Sequence, residues 1–275
     1  MLAGRSVVVD ATVGAGGHAE ALLRGGVATV IGVDRDAAAL REARERLASF
    51  GTRFRAVPGR FSELAETLGR VGVSSVGGAL FDLGVSSMQL DRAERGFSYR
   101  GAGPLDMRMG DDPGPTAADV VNDYPEDRLA NVIFELGEER RSRSIAAAIV
   151  RARRRAPIAT TDELAAIVAG AVPKRRGGPH PARRTFQAIR IEVNHELEEL
   201  AASLPQAAGV LEPGGRLVVI SYHSLEDRIV KRFIANEQRL RRLTRSPVRA
   251  SPAEVADNPR ARSALLRAAE IEVAA

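Results

Sequence analysis

Three aspartates carry the chemistry most readily read from this chain. Asp10 follows the apolar run 6–9 and opens the turn Asp-Ala-Thr-Val-Gly-Ala-Gly-Gly-His (10–18), Asp34 follows the run 29–33, and Asp82 follows the run 79–81. The glycines allow backbone to approach a ligand closely. Gly14-x-Gly16-x-x-Ala19 meets the loose dinucleotide fingerprint, with Asp34 placed after the second run to accept hydrogen bonds from ribose hydroxyls. That much serves NAD and S-adenosylmethionine alike. Asp10 separates them, because a carboxylate before the turn repels a pyrophosphate but attracts the ammonium and sulfonium of S-adenosylmethionine. Hydrogen bonds to charged groups are worth about 1.5–3 kcal/mol, enough to shift the preference by an order of magnitude.

Positioning these acids requires strands that end side by side. The apolar runs 6–9, 29–33, 54–57 and 79–81 read as buried strands, and the segments 19–24, 36–49 and 62–68 between them have helical spacing. Strict alternation predicts a doubly wound, mostly parallel sheet, in which ligands bind beyond the carboxyl ends of the strands. Asp10, Asp34 and Asp82 are therefore expected to converge on one crevice. The segment 83–115 is rich in Gly, Asp, Ser and Arg and reads as a long functional loop. Helical patterns follow to about residue 204, broken at Pro125, Gly137, Pro157 and the stretch 173–181, with Thr160 and Glu163 forming a capping box. The segment Leu-Glu-Pro-Gly-Gly (211–215) reads as a turn, 216–221 as a strand and 224–236 as its helix; the last forty or so residues have no clear pattern. These readings give a first α/β part over 1–115, an inserted helical, substrate-binding subdomain over 116–204, and a second α/β part with a basic tail over 205–275.

The chain has 275 residues, 44% of them hydrophobic, and no cysteine. That rules out disulfides, thiolate metal sites and cysteine nucleophiles. Its acids and histidines are too scattered to predict a metal site. With no apolar run of membrane-spanning length and no cleavable leader pattern, it reads as a soluble cytoplasmic protein. The net charge of +5 is uneven: 140–190 carries +11, 228–267 carries +8, and the remainder about −14. Two basic segments on an acidic body suit a phosphate-rich partner, since neutralising phosphates releases counterions; a solvated arginine-rich helix surface is the plainer explanation.

Several blocks are more specific. Besides 10–18, they are Gly-Val-Asp-Arg-Asp (32–36), Asp-Leu-Gly-Val-Ser-Ser-Met-Gln-Leu-Asp (82–91), Arg-Gly-Phe-Ser-Tyr (95–99) and Pro-Leu-Asp-Met-Arg-Met (104–109). Further along come His-Pro-Ala-Arg-Arg-Thr-Phe-Gln-Ala-Ile-Arg (180–190), His-Ser-Leu-Glu-Asp-Arg (223–228) and Asn-Pro-Arg-Ala-Arg-Ser (258–263). In this order, over nearly the whole chain, they resemble the RsmH/MraW family. The resemblance implies a Rossmann-like S-adenosylmethionine-dependent methyltransferase with an inserted all-helical subdomain. It also implies methylation of the N4 amine of a decoding-region (P-site) cytidine in 16S rRNA, within the small ribosomal subunit, with a homodimer left open. Carried over by motif, the cofactor contacts are Gly16, Gly17, His18, Asp34, Phe61, Asp82 and Gln89. Family members carry an amino-terminal His-x-Pro-Val element before the first strand, whereas this chain reaches its first strand within six residues, as a truncation or a misassigned start would.

Methyl transfer is an in-line displacement, so alignment and a polar environment are its main demands. The N4 lone pair is delocalised into the ring, and an acceptor near the amine must take its proton. Asp82, Asp106 and His223 are the candidates, and the sequence does not choose among them. Two of them also have a plain local explanation: Asp82 as a turn former before Gly84, and His223 as part of a helix cap with Ser224, Glu226 and Asp227. Methylation at a pyrimidine carbon-5, which needs a cysteine adduct, is set aside. Arg153, Arg154 and Arg155 are expected to hold RNA phosphates, and Phe97 and Tyr99 either to stack on a flipped base or to fold the loop. The competing functions are an NAD-dependent oxidoreductase and a non-catalytic rRNA-binding assembly factor.

Overall fold

A computed structural model describes residues 1–110, 113–173, 178 and 180–273. Parts of the 173–181 break and of the basic run 140–190 lie outside the described residues. The chain divides into two compact units, Met1–Gly84 with Leu197–Ala275, and Val85–Glu196.

The first unit is built on β1 (Val7–Asp10), β2 (Thr29–Asp34), β3 (Phe54–Pro58), β4 (Val76–Asp82), β5 (Leu211–Ser221), β6 (Leu240–Arg242), β7 (Val248–Arg249) and β8 (Leu265–Ile271). Among the described residues these form one sheet ordered β3-β2-β1-β4-β5-β8-β6, with β7 also pairing β8. The pairs from β3 through to β5 are parallel, and β8 runs antiparallel to β5, β6 and β7. This departs from the six-stranded dinucleotide order 3-2-1-4-5-6 by a reversed strand inserted after the fifth. Helices α1 (Gly17–Arg24), α2 (Ala37–Arg46) and α3 (Leu64–Arg70) join the early strands.

The near-continuous apolar strands are explained by burial on both faces. Val9, Ile31, Val33, Phe81, Leu217 and Val219 enter one core, while their neighbours Val8, Val30, Leu80 and Val218 enter the other. The segment 211–215, expected as a turn, is instead a bulge inside β5: the register with β4 steps from Val76↔Leu211 to Gly78↔Arg216. Pro213 and Gly214 suit a bulge because the ladder is interrupted there. In the unpatterned tail, β8 supplies the reversed strand.

In the second unit, the segment read as a long loop contributes α4 (Ser87–Asp91) and buries Phe97, Leu105 and Met107 among α5 (Ala117–Asp123), α6 (Glu126–Glu135), α7 (Ser142–Arg153), α8 (Thr161–Ala171) and α9 (Arg183–Asn194). Two strands of backbone cross so closely that a Cβ at Gly96 would lie 2.1 Å from the Pro104 carbonyl oxygen, and one at Gly103 1.9 Å from that of Ala93. Buried Asn194 ties the segment down: its amide donates to Met107 O at 2.7 Å and its carbonyl accepts from Met109 N at 2.8 Å. The expected Thr160–Glu163 capping box opens α8. The next helices of the first unit are α10 (Glu196–Val210) and α11 (Ser224–Asn236), followed by the short α12 (Pro252–Asp257).

Candidate functional site

The carboxyl ends of β1, β2 and β4 present Asp10, Asp34 and Asp82 on one edge of the first unit's sheet, as expected from parallel strands. Asp10 is fully buried, with only the Thr12 N–H within reach of Oδ1 at 3.3 Å, and its Oδ2 has no hydrogen-bond partner among the described residues. Burial pushes its pKa up to about 7, opposed mainly by the positive potential of His18. A buried acceptor without a donor is costly, and a bound cation would remove that cost.

The turn after Asp10 is held open by its glycines. Gly16 caps α1 in the left-handed region at φ 82°, and a Cβ there would sit 3.0 Å from Leu47 Cδ1. Among the described residues no side chain caps α1. Its first N–H groups therefore point outward with the positive end of the helix dipole, a setting suited to a carboxylate. Gly17 begins the helix. An ammonium at Asp10 and a carboxylate at the start of α1 are the two charged ends of an amino acid.

Asp34 accepts from Gly14 N and Asp36 N, both at 2.9 Å, so each oxygen keeps a lone pair for a hydroxyl. Burial raises its pKa, and these two hydrogen bonds oppose the rise. Asp36 caps α2 with its side chain, accepting from Ala38 N at 2.9 Å, and thereby fixes the chain beyond Asp34. Phe61 follows β3 and meets Phe81 edge-on, ring centroids 6.2 Å apart, leaving it partly exposed.

Asp82 is gripped from two sides. His18 Nε2 donates to Oδ2 at 3.1 Å and the Tyr222 hydroxyl to Oδ1 at 2.8 Å, while the Asp82 N–H donates to Thr12 Oγ1 at 2.7 Å. The Asp82 hydrogen bond raises the His18 pKa, outweighing desolvation. Desolvation and the Asp82 charge push the Tyr222 phenol far above its usual range, so it remains a donor. Neither Thr12 nor Tyr222 stands out in the sequence. The only signals are their places, two residues after Asp10 and immediately after β5.

The other candidates have local partners of their own. His223 caps α11, its Nδ1 3.4 Å from Glu226 N; its Nε2 is 3.2 Å from Glu226 Oε1 but out of line for a hydrogen bond. Asp227 of the same block holds Arg267 of β8 through two contacts at 2.6 and 2.9 Å. In the second unit, Gln89 completes the capping box of α4 with Ser86. Asp106, also there, is engaged by Arg108 at 2.9 and 2.7 Å, which holds its carboxyl below the usual range. Phe97 is buried in the helical core, which removes it as a stacking platform, and Tyr99 stacks on His180 at 4.8 Å. Arg153 donates to the carbonyls of Val121 and Tyr124, both at 2.7 Å, whereas Arg154 and Arg155 are exposed. Among the described residues no cluster could hold a metal ion, and no helix is long and apolar enough to cross a membrane.

A model of the MraW methylase family matches residues 2–272. The chain belongs to that family. Among its relatives is a protein of Methylobacterium sp. (strain 4-46), 53% identical over 97% of this chain and 85% of its own length. One from Nitrobacter hamburgensis is 53% identical over 98% and 87%. A third, from Deinococcus radiodurans, is 53% identical over 96% and 83%. All three are named Ribosomal RNA small subunit methyltransferase H. Family membership and the strand order together set aside an NAD-dependent oxidoreductase.

Proposed function

We propose that this chain transfers a methyl group from S-adenosylmethionine to the N4 amine of a decoding-region cytidine of 16S rRNA. The observation that carries the cofactor is the buried Asp10 Oδ2, without a hydrogen-bond partner among the described residues, beside a helix start that no described side chain caps, which fits the amino acid portion of S-adenosylmethionine. Asp10 holds the ammonium, the first N–H groups of α1 with Gly16 and Gly17 hold the carboxylate, Asp34 takes the ribose hydroxyls, and Phe61 borders the adenine. The names of the relatives support small-subunit rRNA as substrate. The blocks shared with the family support cytidine N4, and the lack of cysteine is consistent with an amine rather than a carbon acceptor.

When bound, S-adenosylmethionine supplies a methyl group activated by its sulfonium. Of the three candidate acceptors, Asp82 has the best setting. Asp106 is committed to Arg108 and His223 to its helix cap, while Asp82 is oriented by two donors and keeps one lone pair on each oxygen. As the N4–methyl bond forms and the carbon–sulfur bond breaks, Asp82 accepts the amine proton, and His18 and Tyr222 hold the carboxylate in place. The exposed arginines of the helical unit, Arg154 and Arg155 among them, belong to substrate binding in this reading.

Mass spectrometry of 16S rRNA nucleosides from cells with and without the gene tests the assignment. Loss of N4-methylcytidine at the decoding-site cytidine is expected, and an unchanged level refutes it. RNA binding without methyl transfer would favour an assembly factor.

A further inference from the structure

The basic tail follows a path that its sequence does not reveal. β7 runs antiparallel to β8, and β8 antiparallel to β5, so β7 points the same way as β5. Arg249 at the end of β7 pairs with Leu265, which pairs on its other side with Ser221, the residue before Tyr222. The connection 250–264 therefore begins and ends at the carboxyl edge of the sheet, the edge that carries Asp10, Asp34 and Asp82. The Glu254 charge at the start of α12 adds to the upward push on the Tyr222 phenol, an independent sign that the connection stands beside this edge.

Arg249 closes β7, and the turn Pro259–Ser263 just before β8 carries Arg260 and Arg262. All three are exposed. Asn258 fixes the turn by accepting from Arg260 N at 3.2 Å, and Ala261 between the arginines is buried, so the backbone bearing them is anchored. Among the described residues no ion pair joins Arg249 or Arg262 to a carboxylate. The acids of the connection, Glu254 and Asp257, lie on α12 ahead of the turn. By contrast, Arg241 on β6 is bound to Glu270 at 2.6 Å, and Arg267 to Asp227. The tail thus spends Arg241 and Arg267 on the fold and displays Arg249 and Arg262 at the reaction edge.

We propose that Arg249 and Arg262 form a phosphate-binding rim that holds the RNA backbone next to the nucleotide being methylated. The proposal rests on RNA being the substrate. It assigns the rim a task separate from cofactor binding: guanidinium forks on an anchored turn grip phosphate oxygens and set the approach of the chain without reading base identity.

The test measures binding to a 16S rRNA fragment containing the decoding region across a fourfold range of salt, for the wild type, Arg249→Ala with Arg262→Ala, and the matching double lysine variant. Each phosphate contact to a single strand contributes about 0.7 to the salt slope. The alanine pair should flatten the slope by about 1.4, making its loss of affinity across that range about sevenfold smaller. Its KM for the fragment should rise while kcat and S-adenosylmethionine affinity hold, and the lysine pair should keep the wild-type slope. An unchanged slope in the alanine pair, or a fall in its cofactor affinity, overturns the rim. A wild type that binds no rRNA overturns the functional reading itself and the rim with it.

Discussion

Replacing Asp10 by asparagine separates the cost of the site from its use. In the ligand-free protein, burial raises the Asp10 pKa from 3.8 to about 7. Below the unfolded value both states are protonated, and the group does not affect stability. Between pH 4 and 7 the unfolded chain is ionised and the folded one is not, so rising pH favours unfolding. Above pH 7 the folded state carries the full penalty, roughly 4 kcal/mol at about 1.36 kcal/mol per pKa unit. The Asp10→Asn variant carries no such penalty and puts an amide at the site. The Thr12 contact is long at 3.3 Å, so its change offsets the gain by no more than about 1 kcal/mol. The variant should therefore be more stable than the wild type by about 3 kcal/mol at pH 8, with the gain gone near pH 4 and replaced there by a deficit of no more than about 1 kcal/mol. S-adenosylmethionine affinity should fall by about 1.5–3 kcal/mol, roughly 10- to 150-fold, as a charge-assisted contact is lost. Urea unfolding of the two proteins from pH 4 to 8, with calorimetry of cofactor binding, reads both effects. A variant no more stable than the wild type at pH 8, or one with intact cofactor affinity, would refute the reasoning.

Other perturbations give equally direct readings. Asp82→Asn removes the main cause of the raised His18 pKa, so NMR titration of the imidazole should show it fall; an unchanged value would mean the hydrogen bond is absent. Gly16→Ala places a side chain at φ 82° against Leu47 and Ala43, and chemical denaturation should show a loss of about 1–3 kcal/mol together with weakened cofactor binding. Arg267→Met leaves Asp227 without its fork, and thermal unfolding should show a loss of about 3 kcal/mol with the cofactor site unchanged in affinity.

The parallel sheet was legible because alternation of apolar runs and helical spacing reports burial on both faces, as the divided membership of Val8 and Val9 illustrates. The convergence of Asp10, Asp34 and Asp82 followed from strand direction alone. The grip on Asp82 was not legible. Tyr222 is 140 positions away in sequence, and nothing local marks a phenol that finds its partner through β4 and β5 pairing. The segment after Asp82 looked unstructured because Gly96 and Gly103 serve close backbone crossings rather than any regular period. β8 was hidden because Arg267, inside an apolar strand, is buried against Asp227 rather than exposed. The same long-range pairing made Arg153 look like a free surface charge when it binds the carbonyls at the end of α5.

Methyl transfer by the purified chain measures the central claim most directly. Incubated with labelled S-adenosylmethionine and small ribosomal subunits from cells lacking the gene, the protein should place one methyl group on the N4 amine of the decoding-region cytidine. Nucleoside digestion and mass spectrometry identify the product. Label on another nucleotide would contradict the substrate assignment, and no label with intact cofactor binding would contradict the assignment as a methyltransferase of that RNA.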